Sequence, residues 1–169
     1  IGGTEKTLQV SCQHLNQGVF ETTICGIEAG GIRGESLRKS GFEVNVLNGD
    51  YSRFESLLNE KRVNIVHFYG LRWDSEGFRT LMKIVKRVGV PVIVETSVFG
   101  YYNLEETERF VDRHFLISKN VALEYAARGK ISMHQFLDKC RVLYNPVDLD
   151  EFEKNPPSQG QLDQFKRRI

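Results

Sequence analysis

The chain has 169 residues, and its 40% apolar and 27% charged residues are ordinary globular composition, enough for one domain with a sizeable core. Lys and Arg number 23 against 22 Asp and Glu, so the net charge of +1 gives no general argument for nucleic acid, although it leaves a local basic patch open. Cys12, Cys25 and Cys140 are scattered and odd in number; with no CxxC pair, neither a zinc site nor a disulfide framework is indicated, and reduced cytosolic thiols are the simplest account. No signal peptide and no run long enough to span a bilayer stands in the sequence. A cytoplasmic location is expected, with peripheral membrane contact left open.

The chain opens on Gly2-Gly3-Thr4-Glu5, a glycine turn running into a helical pattern. Thr4 is a good N-cap, and Glu5 suits the positive end of the helix dipole. Such a turn presents free N–H groups, which is what a phosphate needs; the plain alternative is an ordinary helix entry. The helix is expected over residues 4–16, with Leu8, Cys12 and Leu15 as its buried stripe. A strand follows at 20–27, Gly30-Gly31 break the chain, and a short helix covers 35–39. Residues 42–47 alternate as an edge strand does, 48–50 turn, and Phe54, Leu57 and Leu58 mark a helix to about residue 62.

Residues 63–68 are expected as a buried strand ending at Tyr69-Gly70. Asp74 is placed to cap a long helix with Phe78, Leu81, Met82, Val85 and Val88 inward; Gly89 ends it and Pro91 prevents continuation. A strand at 92–95 leads to an aromatic loop at 97–103 and a short helix at 104–111. A strand at 115–117 precedes a helix that Ser118 caps, running through Ala127 to Gly129. Ser132 and Gln135 have capping-box spacing, residues 141–144 make the last strand, and 145–148 turn. From residue 151 onward the Asn-Pro-Pro-Ser-Gln-Gly stretch has linker composition.

Strands alternating with helices predict an α/β fold: a Rossmann-like, mostly parallel sheet with helices on both faces. Ligands of such sheets bind beyond the carboxyl ends of the strands, which makes the residues following each strand the candidates. A helix led by a glycine loop is expected to follow a central strand of the sheet, and of that strand only Ile1 is present. The expectation is a chain clipped at its start.

The residues in this order resemble the N-terminal half of glycosyltransferase family 4, of the GT-B fold. Gly2-Gly3-Thr4-Glu5-Lys6 matches the family's opening Gly-Gly-x-Glu loop, and residues 18–24 resemble its next strand entry. Asn64-Ile65-Val66-His67 resembles an Asp-Ile-Val-His strand with asparagine first. Residues 91–96, 115–118 and 141–148 resemble the later strand ends and the domain exit. The resemblance covers residues 1–150 and leaves 151–169 as a linker towards an absent C-terminal domain.

The resemblance implies two Rossmann-like domains facing across a cleft, the N-terminal one binding mainly the acceptor and the C-terminal one the nucleotide sugar. Transfer would retain anomeric configuration, with no metal and no cofactor beyond the nucleotide-sugar donor as substrate. Partners implied are that donor, a sugar or lipid-linked acceptor and the C-terminal donor domain, with no nucleic acid; the fragment alone would be inactive. Gly2 and Gly3 would approach the donor diphosphate. His67 would contact the acceptor or else serve the core. The family's histidine after its fifth strand has no counterpart in Glu95-Thr96-Ser97-Val98-Phe99-Gly100. Ser97 could donate a hydrogen bond in its place, and Glu95 could accept one or act as a base, or simply pair with a lysine.

Thr96, Ser97, Phe99, Tyr101 and Tyr102 are the acceptor-side candidates, because sugars stack on aromatic faces; packing onto the sheet is the alternative for the aromatics. Arg79, Lys83, Lys86 and Arg87 are either a solvated helix face or a contact for anionic lipid. Two rival functions stand beside the transferase: a GT-B sugar-nucleotide epimerase, and a non-catalytic Rossmann-like binding module.

Overall fold

The computed structural model describes residues 3–70, 76–102, 108–149, 154 and 156–166. The elements in order are α1 (Gly3–His14), β1 (Thr23–Gly26), α2 (Ile32–Lys39), β2 (Glu43–Val46), α3 (Tyr51–Glu60) and β3 (Ile65–Tyr69). They continue with α4 (Glu76–Val88), β4 (Val92–Ser97), a 3-10 turn (Glu108–Phe110), β5 (Arg113–Leu116), α5 (Lys119–Gly129), α6 (Met133–Lys139), β6 (Cys140–Val142) and α7 (Gln159–Lys166). Every strand pair is parallel. The fold is α/β and Rossmann-like, as the alternation of elements predicts. The strands form two sheets, a pair β1-β2 and a four-stranded sheet in the order β3-β4-β5-β6.

Alternation along the strands decides which helices cover which face. On one face Ile24 of β1 packs with Cys12 of α1 and with Leu37 and Phe42 around α2. On the other, Val66 and Phe68 of β3 and Ile93 of β4 join Phe54 and Leu58 of α3 and Phe78, Leu81, Met82, Ile84 and Val85 of α4. Cys25 and Ile27 pack against this second cluster, so it extends beneath both sheets. A smaller cluster of Leu116, Ala122, Tyr125 and Cys140 seats α5 beside β5 and β6. Asp112 ties β4 to β5 twice, donating its N–H to the Ile93 carbonyl and accepting the Ile93 N–H on Oδ2, each at 2.8 Å.

Several boundaries depart from the sequence reading, each for a local reason. Thr4 is not the cap of α1, because the helix already includes Gly3. β1 begins three residues later than expected, leaving Val19 and Phe20 exposed in the approach. α2 starts at Ile32, straight after the extended Gly31. Gly129 stays inside α5 and Lys130 takes the left-handed position at φ 50° instead. Packing explains the glycine: a Cβ on Gly129 would lie 2.4 Å from the Tyr102 ring. β6 stops at Val142, with Leu143 and Tyr144 exposed.

The tail read as linker contains α7, an exposed helix started by Ser158 and Gln161 in reciprocal side-chain to backbone bonds. The Ser118 cap and the Ser132–Gln135 capping box form as their spacing predicts. Gly2, Asp74 and residues 104–107 of the helix expected at 104–111 lie outside the described residues, and residues 108–110 form only a 3-10 turn.

Candidate functional site

The carboxyl edge of the four-stranded sheet receives the first turn of α1. Gly70, at the end of β3, has φ +60°, and a Cβ built on it would stand 2.4 Å from Thr4 Cγ2. Only a residue without a side chain lets the helix start this close to the strand end. Gly3 itself faces open space: nothing lies within 4 Å of an added Cβ, and its φ is outside the left-handed region. Its partner in the glycine pair, Gly2, lies outside the described residues.

Beside that turn lies a small polar cluster on the α1 face of the sheet. His67 Nε2 and Thr96 Oγ1 are 2.8 Å apart, and Thr96 is buried. The Tyr69 hydroxyl bonds both Thr96 and Ser11 of α1, and its ring stacks on His67 with centroids 4.2 Å apart. Phe115 of β5 closes the far side of the imidazole edge-on at 5.8 Å. Loss of water among these neighbours pushes the His67 pKa down from 6.5 to about 4, although the residue as a whole is among the exposed ones. The same desolvation raises the Tyr69 pKa, opposed by its bonds to Ser11 and Thr96. His67 is therefore a neutral imidazole at pH 7, able to accept or donate a hydrogen bond and not to act as a cation.

Glu95 does not join this cluster. Register pairs Phe68 with Glu95 and His67 with Val94, so Glu95 projects to the α4 and α5 face, away from His67. There its Oε2 lies 2.8 Å from Nδ1 of His114; the two side chains are 3% and 0% exposed. His114 in turn packs on the Tyr125 ring at 5.1 Å. The sequence reading gave His114 no site role, and nothing in the sequence alone aligns it with Glu95. Their register partnership across β4 and β5 creates the pair. Ser97 is buried on the same side as Glu95, at 3% exposure.

The aromatic loop after β4 divides in two. Tyr102 packs inward on Tyr125 at 5.1 Å and against the Gly129 backbone. Gly100, at φ +62°, brings the loop so near α5 that a Cβ would sit 2.6 Å from the Val121 carbonyl oxygen. Phe99 and Tyr101 remain outward, 64% and 49% exposed, with ring centroids 5.8 Å apart. The Arg128 guanidinium lies over Tyr101 at 5.1 Å. The packing reading thus holds for Tyr102, while Phe99 and Tyr101 present aromatic faces to solvent.

Cations on α4 have partners within the chain. Arg87 makes two bonds to the Glu55 carboxylate, at 2.8 and 2.6 Å, and Lys86 lies 4.7 Å from the Phe110 ring centre. Among the described residues no helix is long and apolar enough to cross a membrane, and no group of three His, Cys, Asp or Glu side chains is arranged to hold a metal. Two cavities lie outside the His67 cluster. One of about 310 Å³ is lined by Asn59, Arg62, Asn64 and Pro91, at the amino ends of β3 and β4, and an apolar one of about 330 Å³ lies between α5 and α6. No protein-family model matches the chain, and no curated protein or solved structure matches it.

Proposed function

We propose that the chain is the acceptor-side domain of a retaining glycosyltransferase, moving a sugar from a nucleotide-sugar donor to a glycan, lipid or small-molecule acceptor. The observation that carries the reading is the start of α1. An open glycine at a helix N-terminus, held at the carboxyl edge of a parallel sheet, is suited to the approach of a diphosphate. The order of motifs over residues 1–150 supplies the reaction class. His67, neutral and bonded to Thr96, is the residue assigned to an acceptor hydroxyl. Phe99 and Tyr101 offer stacking surface for a sugar ring. Glu95, sealed with His114, is reassigned from base to support of β5.

That sealed carboxylate also favours the rival reading, a Rossmann-like module that binds a ligand without turning it over. One variant of the full-length protein separates the two. Valine at Gly3 meets no neighbour and no left-handed backbone, so Gly3→Val should fold normally. For the transferase, it should weaken use of the donor and leave acceptor binding nearly intact. Unchanged donor kinetics in the folded variant would remove the phosphate role, and absence of any sugar transfer by the unaltered full-length protein would favour the binding module.

A further inference from the structure

α5 and α6 are joined by only three residues, 130–132, yet the two helices leave a space between them. The face of α5 that lines it carries Lys119, Ala122, Leu123 and Ala126, at helical positions i, i+3, i+4 and i+7. Two of the four are alanines, and the room their short side chains leave is the apolar cavity of about 330 Å³. Leu123 and Met133 flank it, 71% and 72% exposed. Large apolar side chains this open, beside an apolar hollow, mark a place where something binds.

The cavity has a direction. The Ile131 N–H donates to the Ala126 carbonyl at 3.2 Å, which sets Ile131 at the far end of α5. Val142 pairs with Leu116, two residues before the Ser118 cap, which sets Val142 beside Lys119 at the start of α5. From Lys119 to Ala126 the helix rises about 10 Å. Spread over that length, the volume leaves a cross-section of about 30 Å², far narrower than an α-helix with its side chains. The width suits one unbranched hydrocarbon chain. Charge is confined to one end of it. No Asp or Glu lines the cavity, and among the described residues Lys119 has no ion-pair or hydrogen-bond partner. Ser132, the other polar group, is committed to the α6 cap, where its Oγ accepts the Gln135 N–H.

We propose that the cavity between α5 and α6 binds an unbranched aliphatic carboxylate, its chain lying along Ala122 and Ala126 and its head at the Lys119 ammonium. The lysine stem lies along the apolar wall while the ammonium reaches water, the place where a carboxylate emerges. One ammonium matches a singly charged head; a phosphate monoester, with close to two charges, would call for a second cation. Met133, unbranched and adaptable, closes over the chain from the α6 side. The site stands whether or not the protein transfers a sugar.

The test is isothermal titration of the full-length protein with sodium decanoate, below the concentration at which decanoate forms micelles. Octanoate, butyrate and decyltrimethylammonium serve as comparison ligands. The expected result is saturable binding of one decanoate per chain, about tenfold weaker for octanoate, with none for butyrate or for the cation. Lys119→Gln should weaken decanoate about threefold to fivefold, and Ala126→Leu, which fills the channel, by about tenfold or more. Met133→Glu sets a carboxylate in the first turn of α6, where the helix dipole favours it, so the protein should fold and repel the ligand. That variant decides the matter if Ala126→Leu melts early. Decanoate that fails to saturate, or that binds Ala126→Leu and Met133→Glu as it binds the unaltered protein, would overturn the site. Equal binding of the cationic amphiphile would overturn it as well. So would a dimer that Met133→Glu splits and decanoate does not, because a second copy would then be the occupant.

Discussion

Replacing Gly70 by alanine tests the contact that sets the start of α1. Gly70 has φ +60°, and the left-handed region costs a residue with a Cβ about 1–2 kcal/mol. The new methyl would also stand 2.4 Å from Thr4 Cγ2, well inside the usual carbon–carbon approach. Thr4 is β-branched and held in the first helical turn, so turning its methyl away costs a further amount, about 1 kcal/mol. Gly70→Ala should therefore destabilise the chain by about 2–3 kcal/mol in urea unfolding. Thr4→Ser deletes the obstructing methyl and leaves the backbone cost untouched. In the double variant about 1 kcal/mol should return, as a coupling between sites distant in sequence. Strict additivity of the two substitutions would refute the packing of α1 on the end of β3, and with it the placement of Gly3 at the carboxyl edge.

Lowering the pH should destabilise the chain through His67. Its folded pKa, about 4, lies below the 6.5 of the unfolded chain, so the unfolded state binds more protons between these values, and stability is lost as pH falls from about 6.5 towards 4. The residue is exposed, so solvent screening reduces the loss to about 1 kcal/mol; urea midpoints across this range should flatten in His67→Gln, and an unchanged slope would assign the effect elsewhere. Glu95→Gln should lower stability by about 1–3 kcal/mol, while transfer per folded full-length molecule stays normal; a selective loss of turnover would restore Glu95 to the chemistry. Ser118→Ala removes the acceptor for the Val121 N–H and should cost about 1 kcal/mol in thermal unfolding.

The elements of this fold are largely local in origin, which is why the sequence shows them. Phe78, Leu81, Met82 and Val85 repeat with helical spacing and are all buried along α4, and Gly89 takes its left-handed turn at φ +79°. Ser132 and Gln135 close their capping box because both partners lie within one turn. Boundaries set by distant neighbours were not legible. Gly129 looked like a helix terminator, but its lack of a side chain makes room for Tyr102, which lies 27 residues earlier in the chain. Ser158 and Gln161 carry the same reciprocal pattern as Ser132 and Gln135, so α7 was readable and was hidden by the prolines before it.

The candidate site was legible as an edge and not as a set of partners. Glu95 and Thr96 are adjacent in sequence, yet pleating sends them to opposite faces of β4. Thr96 goes to His67 and Tyr69 beneath α1, and Glu95 goes to His114 beneath α5. Which face meets which helix depends on the parallel register of β3, β4 and β5, and a shift of one residue would exchange the two roles. In that shifted arrangement Glu95 would meet His67, the pairing expected of two catalytic neighbours at a strand end. The register that prevents it is fixed by burial on the α4 face, where Val66, Phe68 and Ile93 enter the main core together. The core of the domain thus decides that His67 stands with a threonine and a tyrosine, in a neutral hydrogen-bonding group, and that the carboxylate serves the interior.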